Sequence, residues 1–224
     1  MRDNQSKVAQ AAELIKTGGT VIYPTETLYA LGANGLDHGA VRRVAELKGR
    51  AADKPLPLII GGLDQLRLVT SWDHALLLQL AERFWPGPLS ILVPALTSLP
   101  RLVADRAGWT SVRHSSNAVA QPLARAAHAP LVAPSANLAG QPPIHRLEDI
   151  DPGLTGSAGM VLDCSPFPLG RLPSTVVRIS GGCRLVMIRE GAVRRSELTA
   201  YGFEVDTEKG VLCRSGQGSG RSVQ

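Results

Sequence analysis

The sequence predicts an α/β fold: one domain built on a mixed, open β-sheet with helices packed against it. Three observations carry that reading. Compact apolar runs such as "TVIYP", "LPLIIGG" and "LSILVPA" alternate with amphipathic stretches of helical period. Strands that are apolar along their whole length belong in a sheet covered on at least one face. The last third then carries three strand-like runs with little helix between them, "GMVLD", "STVVRI" and "CRLVMIRE", which makes the sheet mixed.

The elements follow in order. "SKVAQAAELIKTGG" puts Val8, Ala11, Ala12, Leu14 and Ile15 at helical spacing, with Ser6 as N-cap and Gly18 as stop. "TVIYP" is a buried strand. Beyond it Pro24 fixes the chain direction, and Thr25, Glu26 and Thr27 stand where a helix would begin. On local grounds threonine caps such a helix, and a Glu in the first turn suits its dipole. "GAVRRVAELKG" is amphipathic through Val41, Val44 and Leu47, and "LPLIIGG" is a second strand. A helix runs from about Asp73 to Trp85, stopped by Pro86. "LSILVPA" reads as strand, "NAVAQPLARAAH" as helix and "PLVAPSAN" as a strand ending in polar residues. After the three late strands, "RRSELTAYGF" gives a final helix. The domain is expected over 1–204, and the Gly- and Ser-rich residues 205–224 as a disordered tail. The "GQGSG" in that tail has no strand before it and no helix after it, so it makes no dinucleotide site.

Composition narrows the partners. A length of 224 residues suits one domain. Apolar residues make up 44% and aromatics only 4%, which leaves the core to Leu, Val, Ile and Ala. A net charge of +5 and a pI of about 9.4 suit anionic partners such as nucleotides or RNA. Of the 24 basic residues 19 are arginine, which grips phosphate and carboxylate with two prongs, although an Arg-biased composition explains most of them equally well. Cys164, Cys183 and Cys213 are odd in number, far apart and without a neighbouring His pair. That argues against a disulfide framework and against zinc, and points to a reducing cytosol. "MRDNQSK" has no apolar leader, and no stretch approaches the about eighteen apolar residues of a membrane span. A cytoplasmic protein without membrane contact is expected.

The familiar catalytic motifs GxxxxGKS/T, HExxH and GxSxG are missing. What remains is six strand ends that turn polar, where open α/β sheets gather their ligands. They are the Thr25–Glu26–Thr27 stretch; "LKGRAADKPL", with Lys48, Arg50 and Lys54 within seven residues; "SVRHSSN", with Arg113 and His114; "APSANLAG", with Ser135 and Asn137; "PSTVVRI", with Ser174 and Thr175; and "VMIREGAV", with Arg189. Each has a plain explanation as a cap, a turn or a solvated charge. Converging the basic ones is costly without an anion, because unit charges about 4 Å apart repel by roughly 4 kcal/mol at an effective dielectric near 20. Six such ends in one domain imply a shared cleft.

In their order, "YPTETLYALG", "KGR…KPL", "FWPGPLSILV", "SVR", "APSAN", "STVV" and "IREGAV" resemble the YrdC-like family of threonylcarbamoyl-AMP synthases, in its short bacterial form without the extra C-terminal domain. The similarity runs from about Ala11 to Gly202. It implies a twisted open mixed sheet with flanking helices and a basic concave cleft. It also implies a nucleotidyltransferase reaction, in which L-threonine, bicarbonate and ATP give threonylcarbamoyl-adenylate and pyrophosphate. The product would pass to a tRNA threonylcarbamoyl transferase complex that modifies an adenosine beside the anticodon. By position Lys48, Arg50, Ser135 and Asn137 match the ATP-holding core, with Lys48 and Arg50 acting on the phosphates. Arg189 matches a further nucleotide-binding arginine, and Lys54 is an additional candidate. Thr25, Arg113 and Ser174 match the threonine-binding positions. Mg2+ would come with ATP, and neither a protein metal site nor a tightly bound organic cofactor is implied.

The chain departs from the family at Ala30, at Ile59 and at "HSSN" after Arg113, the last bearing on amino-acid selection. Two other readings remain open on the residues: a non-catalytic RNA-binding module, and a related carbamoyl transfer to another acceptor.

Overall fold

The computed structural model describes residues 2–49, 54–170 and 172–207. The chain opens with α1 (Arg2–Lys16), which buries Ala11, Ala12 and Ile15 on one stripe. Gly18 ends it at φ +85°, a left-handed backbone that glycine tolerates. Ser6 is not the N-cap, because the helix starts at Arg2. Asp3 favours that earlier start: it lies in the first turn and pairs with Lys7 at 2.9 Å one turn on.

β1 (Val21–Pro24) and β2 (Tyr29–Gly32) form an antiparallel hairpin with Tyr23 opposite Ala30. The helix expected after Pro24 is therefore a strand. The threonine that would have capped it closes the hairpin instead. Thr25 Oγ1 donates to the Leu28 carbonyl at 2.7 Å and accepts from the Leu28 N–H at 3.2 Å. β2 is buried along its whole length, so its apolar run satisfies a strand as readily as a helix.

The chain continues through α2 (His38–Leu47), β3 (Leu58–Ile60), α3 (Ala75–Phe84), β4 (Leu89–Pro94) and β5 (Trp109–His114). Then come α4 (Ala120–Ala126), β6 (Leu131–Val132), α5 (Pro152–Ser157) and β7 (Met160–Val161). β8 (Thr175–Gly181), β9 (Arg184–Arg189), α6 (Arg195–Ala200) and β10 (Glu204–Thr207) complete it. The expected tail boundary moves, since 205–207 lie in β10, parallel to β9, with Val205 buried opposite Leu185. Alternation in "EVDT" buries one apolar side chain, enough to join a sheet edge. The remainder of the expected tail, 208–224, lies outside the described residues, as do Arg50 and Cys213.

Among the described residues the strands make two ladders: β2-β1-β7, and a seven-stranded sheet in the order β10-β9-β8-β4-β5-β3-β6. In the larger sheet parallel pairs alternate with antiparallel ones, so it is mixed as the sequence predicts. Single bridges, Ala30 to Ser135 and Asn34 to Leu131, join the two ladders. No described helix is long and apolar enough to cross a membrane.

The two faces of the larger sheet differ. Alternation sends Ile91, Val93, Val112, Val177 and Ile179 into the main core, against Val44 of α2 and Leu77 and Leu80 of α3. Fully burying each such side chain is worth about 1.5–3 kcal/mol. The opposite face is covered at its β3–β6 end, where Ile59 and Leu131 pack with Ile15 of α1 and Leu123 of α4. Over β4, β5 and β8 it stays open.

Candidate active site

The open face is the floor of a pocket of about 480 Å3, within the roughly 300–1,000 Å3 of small-molecule sites. One row of residues crosses it from strand to strand. Arg189 of β9 lies opposite Val176 of β8, and Val176 lies beside Ser90 of β4. Arg113 of β5 lies one rung beyond the Ile91–Val112 pair and beside Ile59 of β3. Ser111 shares the face with Arg113, two residues away along β5, and both line the pocket.

Loops close the sides. Thr25 and Thr27 come from the β1–β2 hairpin, Pro134 and Ser135 from the segment after β6, and Pro173 and Ser174 from the residues before β8. The pocket thus lies across a sheet face, and carboxyl ends (Thr25 after β1, Ser135 after β6, Arg189 of β9) meet an amino end (Ser174 before β8) around it. The reason is the mixed topology: neighbouring strands run both ways, so no single edge collects their carboxyl ends.

Of the sequence-predicted residues, Thr25, Arg113, Ser135, Ser174 and Arg189 line this one pocket. Lys48 stands directly behind it. It is the C-cap of α2 and only 3% exposed, and its Nζ donates to the backbone carbonyls of Ser135 and Asn137. Ser135 Oγ bonds to Asn137 Oδ1, and Asn137 Nδ2 donates to the carbonyls of Leu138 at 3.0 Å and Gln141 at 2.6 Å. The Lys–Ser–Asn set is therefore one interlocked turn that presents Ser135 to the pocket, with the Asn137 side chain holding the turn. Lys54 is exposed, and its neighbour Pro55 lines the pocket.

Arg189 and Ser174 form the opposite wall. Arg189 Nε and Nη2 donate to the Ser174 carbonyl at 3.1 and 2.8 Å, and Nη2 also to Ser174 Oγ at 3.2 Å. Ser90 Oγ donates to Ser174 Oγ at 3.1 Å. Thr175, next in sequence, is fully buried: its hydroxyl donates to the Val193 carbonyl at 2.6 Å and accepts from the Gly191 and Val193 N–H groups. It ties the loop after β9 to β8 and so fixes Arg189 from behind. Arg189 keeps an exposed side, and partial desolvation first, then the charge of Arg113, lower its pKa. Two guanidiniums facing one pocket favour an anionic ligand.

Several residues of the site escape the sequence reading. Glu26, read there only as part of the polar end after "TVIYP" and as a first-turn helix residue, pairs with Arg113, which lines the pocket. Ser90 is a serine inside an otherwise apolar strand, and that interruption is the signal that marks it; Ser111 sits in the mixed run "WTSVRH", where nothing local singles it out. Tyr29 also lines the pocket; its hydroxyl is buried without a partner among the described residues, and burial pushes its pKa up to about 12. His114, which stands next to Arg113 and could act as a base, is turned by alternation to the other face of β5 and is not in the pocket wall.

The chain matches the Sua5/YciO/YrdC family profile, described as telomere recombination, over residues 13–191. It is 33% identical over 219 residues to the threonylcarbamoyl-AMP synthase of Pyrococcus abyssi, covering 93% of this chain and 64% of that one. The threonylcarbamoyl-AMP synthase of Bacillus subtilis is 32% identical over 210 residues, covering 93% and 60%. Among solved structures, P. abyssi Sua5 complexed with L-threonine superposes with a TM-score of 0.83 at 30% identity, covering 96% of this chain and 62% of that one. E. coli YciO gives a TM-score of 0.75 at 25% identity, covering 87% and 93%. The chain spans about three fifths of the length of these two curated relatives.

Proposed function

The chain belongs to the Sua5/YciO/YrdC family, and from that premise we propose that it is an L-threonylcarbamoyladenylate synthase acting in the cytoplasm. L-threonine, bicarbonate and ATP would give threonylcarbamoyl-adenylate and pyrophosphate. The product would go to a tRNA threonylcarbamoyl transferase complex. One observation carries the reading: Arg113, Thr25, Ser174, Ser135 and Arg189, far apart in the chain, line a single pocket. The L-threonine bound to a P. abyssi relative of the same fold supports the amino-acid part.

The chemistry fits the charges. Threonine's neutral amine attacks bicarbonate with loss of water, or CO2 with loss of a proton, to form a carbamate, whose oxygen attacks the α-phosphorus of ATP while pyrophosphate leaves. An anion must approach a polyanion, so placed cations and alignment supply most of the rate. We assign Arg113, with Thr25 and Ser174, to threonine, and Arg189 to the nucleotide. Ser135 would touch the nucleotide directly, with Asn137 and Lys48 shaping and charging the turn beneath it. Arg50 and Lys54 extend the same assignment to the phosphates. Among the described residues no group of three or more His, Cys, Asp or Glu side chains stands together to hold a metal ion. We place Mg2+ with the nucleotide, where it would offset phosphate charge. Positioning and charge supply much of phosphoryl transfer, while the threonine amine must lose its proton before it attacks.

The test is mass spectrometry of the products formed from ATP and bicarbonate with threonine, with other amino acids and with none. Threonylcarbamoyl-adenylate with equimolar pyrophosphate is expected with threonine alone. A different carbamoylated adenylate would redirect the reading to another acceptor, and no adenylate at all would sink it.

A further inference from the structure

Arg113 of the pocket wall is held in an ion pair with Glu26, a residue that the assignment of substrate contacts does not use. Arg113 Nη1 donates to Glu26 Oε1, and the two side chains are only 8% and 13% exposed. The other oxygen, Glu26 Oε2, accepts from Ser115 Oγ. Ser115 is fully buried, and its hydroxyl oxygen also accepts from the Asn117 N–H at 3.2 Å. Asn117 is anchored in turn: Oδ1 accepts from the Val119 N–H at 2.8 Å, and Nδ2 donates to the Pro166 carbonyl at 2.9 Å. A continuous polar chain thus runs from Arg113 through Glu26, Ser115 and Asn117 to the entry of α4.

Both oxygens of Glu26 are engaged, one by the guanidinium and one by a hydroxyl that is itself tethered. A carboxylate so held cannot swing aside without leaving two nearly enclosed charges unpaired, which is strongly disfavoured. A guanidinium carries five N–H donors in a rigid fork, and Glu26 occupies only one edge of it. Fixing that edge sets where the remaining donors point, and Arg113 lines the pocket. Without the anchor the long Arg113 side chain would lose entropy each time it took up a carboxylate.

We propose that Glu26, held by Ser115, is a positioning residue that fixes Arg113 in the pose that receives the carboxylate of the amino-acid substrate. The inference rests on the reading of function above. Glu26 touches Arg113 and not the reacting atoms, so its removal acts on amino-acid binding and leaves nucleotide binding alone.

The experiment is steady-state adenylate formation with ATP and threonine varied separately, on the wild type, Glu26→Gln and Ser115→Ala, with melting curves for all three. Glu26→Gln keeps the shape and removes the charge. Its KM for threonine should rise about tenfold or more, with kcat and the KM for ATP within about twofold. Ser115→Ala, which leaves the pair but loosens it, should raise the threonine KM about threefold. An unchanged threonine KM in Glu26→Gln overturns the proposal, as does a rise in both KM values together, which marks a general loss of structure. Where Glu26→Gln does not fold, Ser115→Ala decides by the same two criteria. A wild type that makes no threonine-dependent adenylate fails the reading of function itself, and is distinguished because it needs no variant.

Discussion

The two faces of β4, β5 and β8 share a backbone and divide the work of the molecule. On one face Ile91, Val112 and Val177 are fully buried against α2 and α3. On the other, one residue along, Ser90, Arg113 and Val176 line the pocket. A single-residue step along a strand moves a side chain from the core to the ligand site. Stability and binding should therefore separate by residue parity.

The sharpest check is Ile91→Ala. It empties space in the main core and should cost about 2–5 kcal/mol by urea unfolding. Well below the melting transition its threonine and ATP KM values should stay within about twofold of the wild type. A large KM change with little loss of stability would break the comparison. Arg189→Ala probes the opposite face. Among the described residues its guanidinium donates to the two neutral oxygens of Ser174, and its loss should cut adenylate formation by about ten- to a hundredfold. The urea midpoint should move little. Ser90→Ala, next to Arg189 through Ser174, removes one hydrogen bond worth about 1 kcal/mol. Stability should fall by no more than about that 1 kcal/mol, and kcat/KM by roughly fivefold at most, through the loosened Ser174.

The same division explains what the sequence could show. Strands β1, β3, β4, β8 and β9 announce themselves as apolar runs, and α1, α2 and α3 by helical period, because each buries a face whose composition alone is informative. The hairpin at Thr25 is invisible locally: the Thr that closes it would cap a helix with the same atoms. Arg113 and Ser174 are legible as polar strand ends. Glu26 is not, because its role exists only through Arg113 and Ser115, both nearly ninety residues away in sequence. Lys48 is legible as a charge near a helix end, but its burial against the Ser135 and Asn137 carbonyls depends on a contact across the fold.

The smallest predicted effect concerns the one titratable side chain on the core-facing side of β5. His114 has the same parity as Val112, is 8% exposed, and leaves Nε2 without a hydrogen-bond partner among the described residues. Burial first, and then the charge of Arg125, lower its pKa from the ordinary 6.5, against smaller opposing contributions from the Gly61 backbone, Asp64 and Glu26. In the unfolded chain the imidazole takes up its proton near 6.5; in the folded chain it does so only at lower pH. Above about 6.5 it is neutral in both states and adds no pH dependence. As the pH falls through 6.5 the unfolded chain gains a proton that the folded chain refuses, so stability declines, and the decline stops below the folded pKa. Urea midpoints measured from about pH 8 to about pH 5 should fall for the wild type and fall less for His114→Gln, with the difference confined to the window below about 6.5. The threonine KM of that variant should not change, since the side chain lies on the far face from the pocket. Equal slopes in the two proteins would mean that His114 is solvated in the folded state, and that β5 does not separate core from site at its last residue.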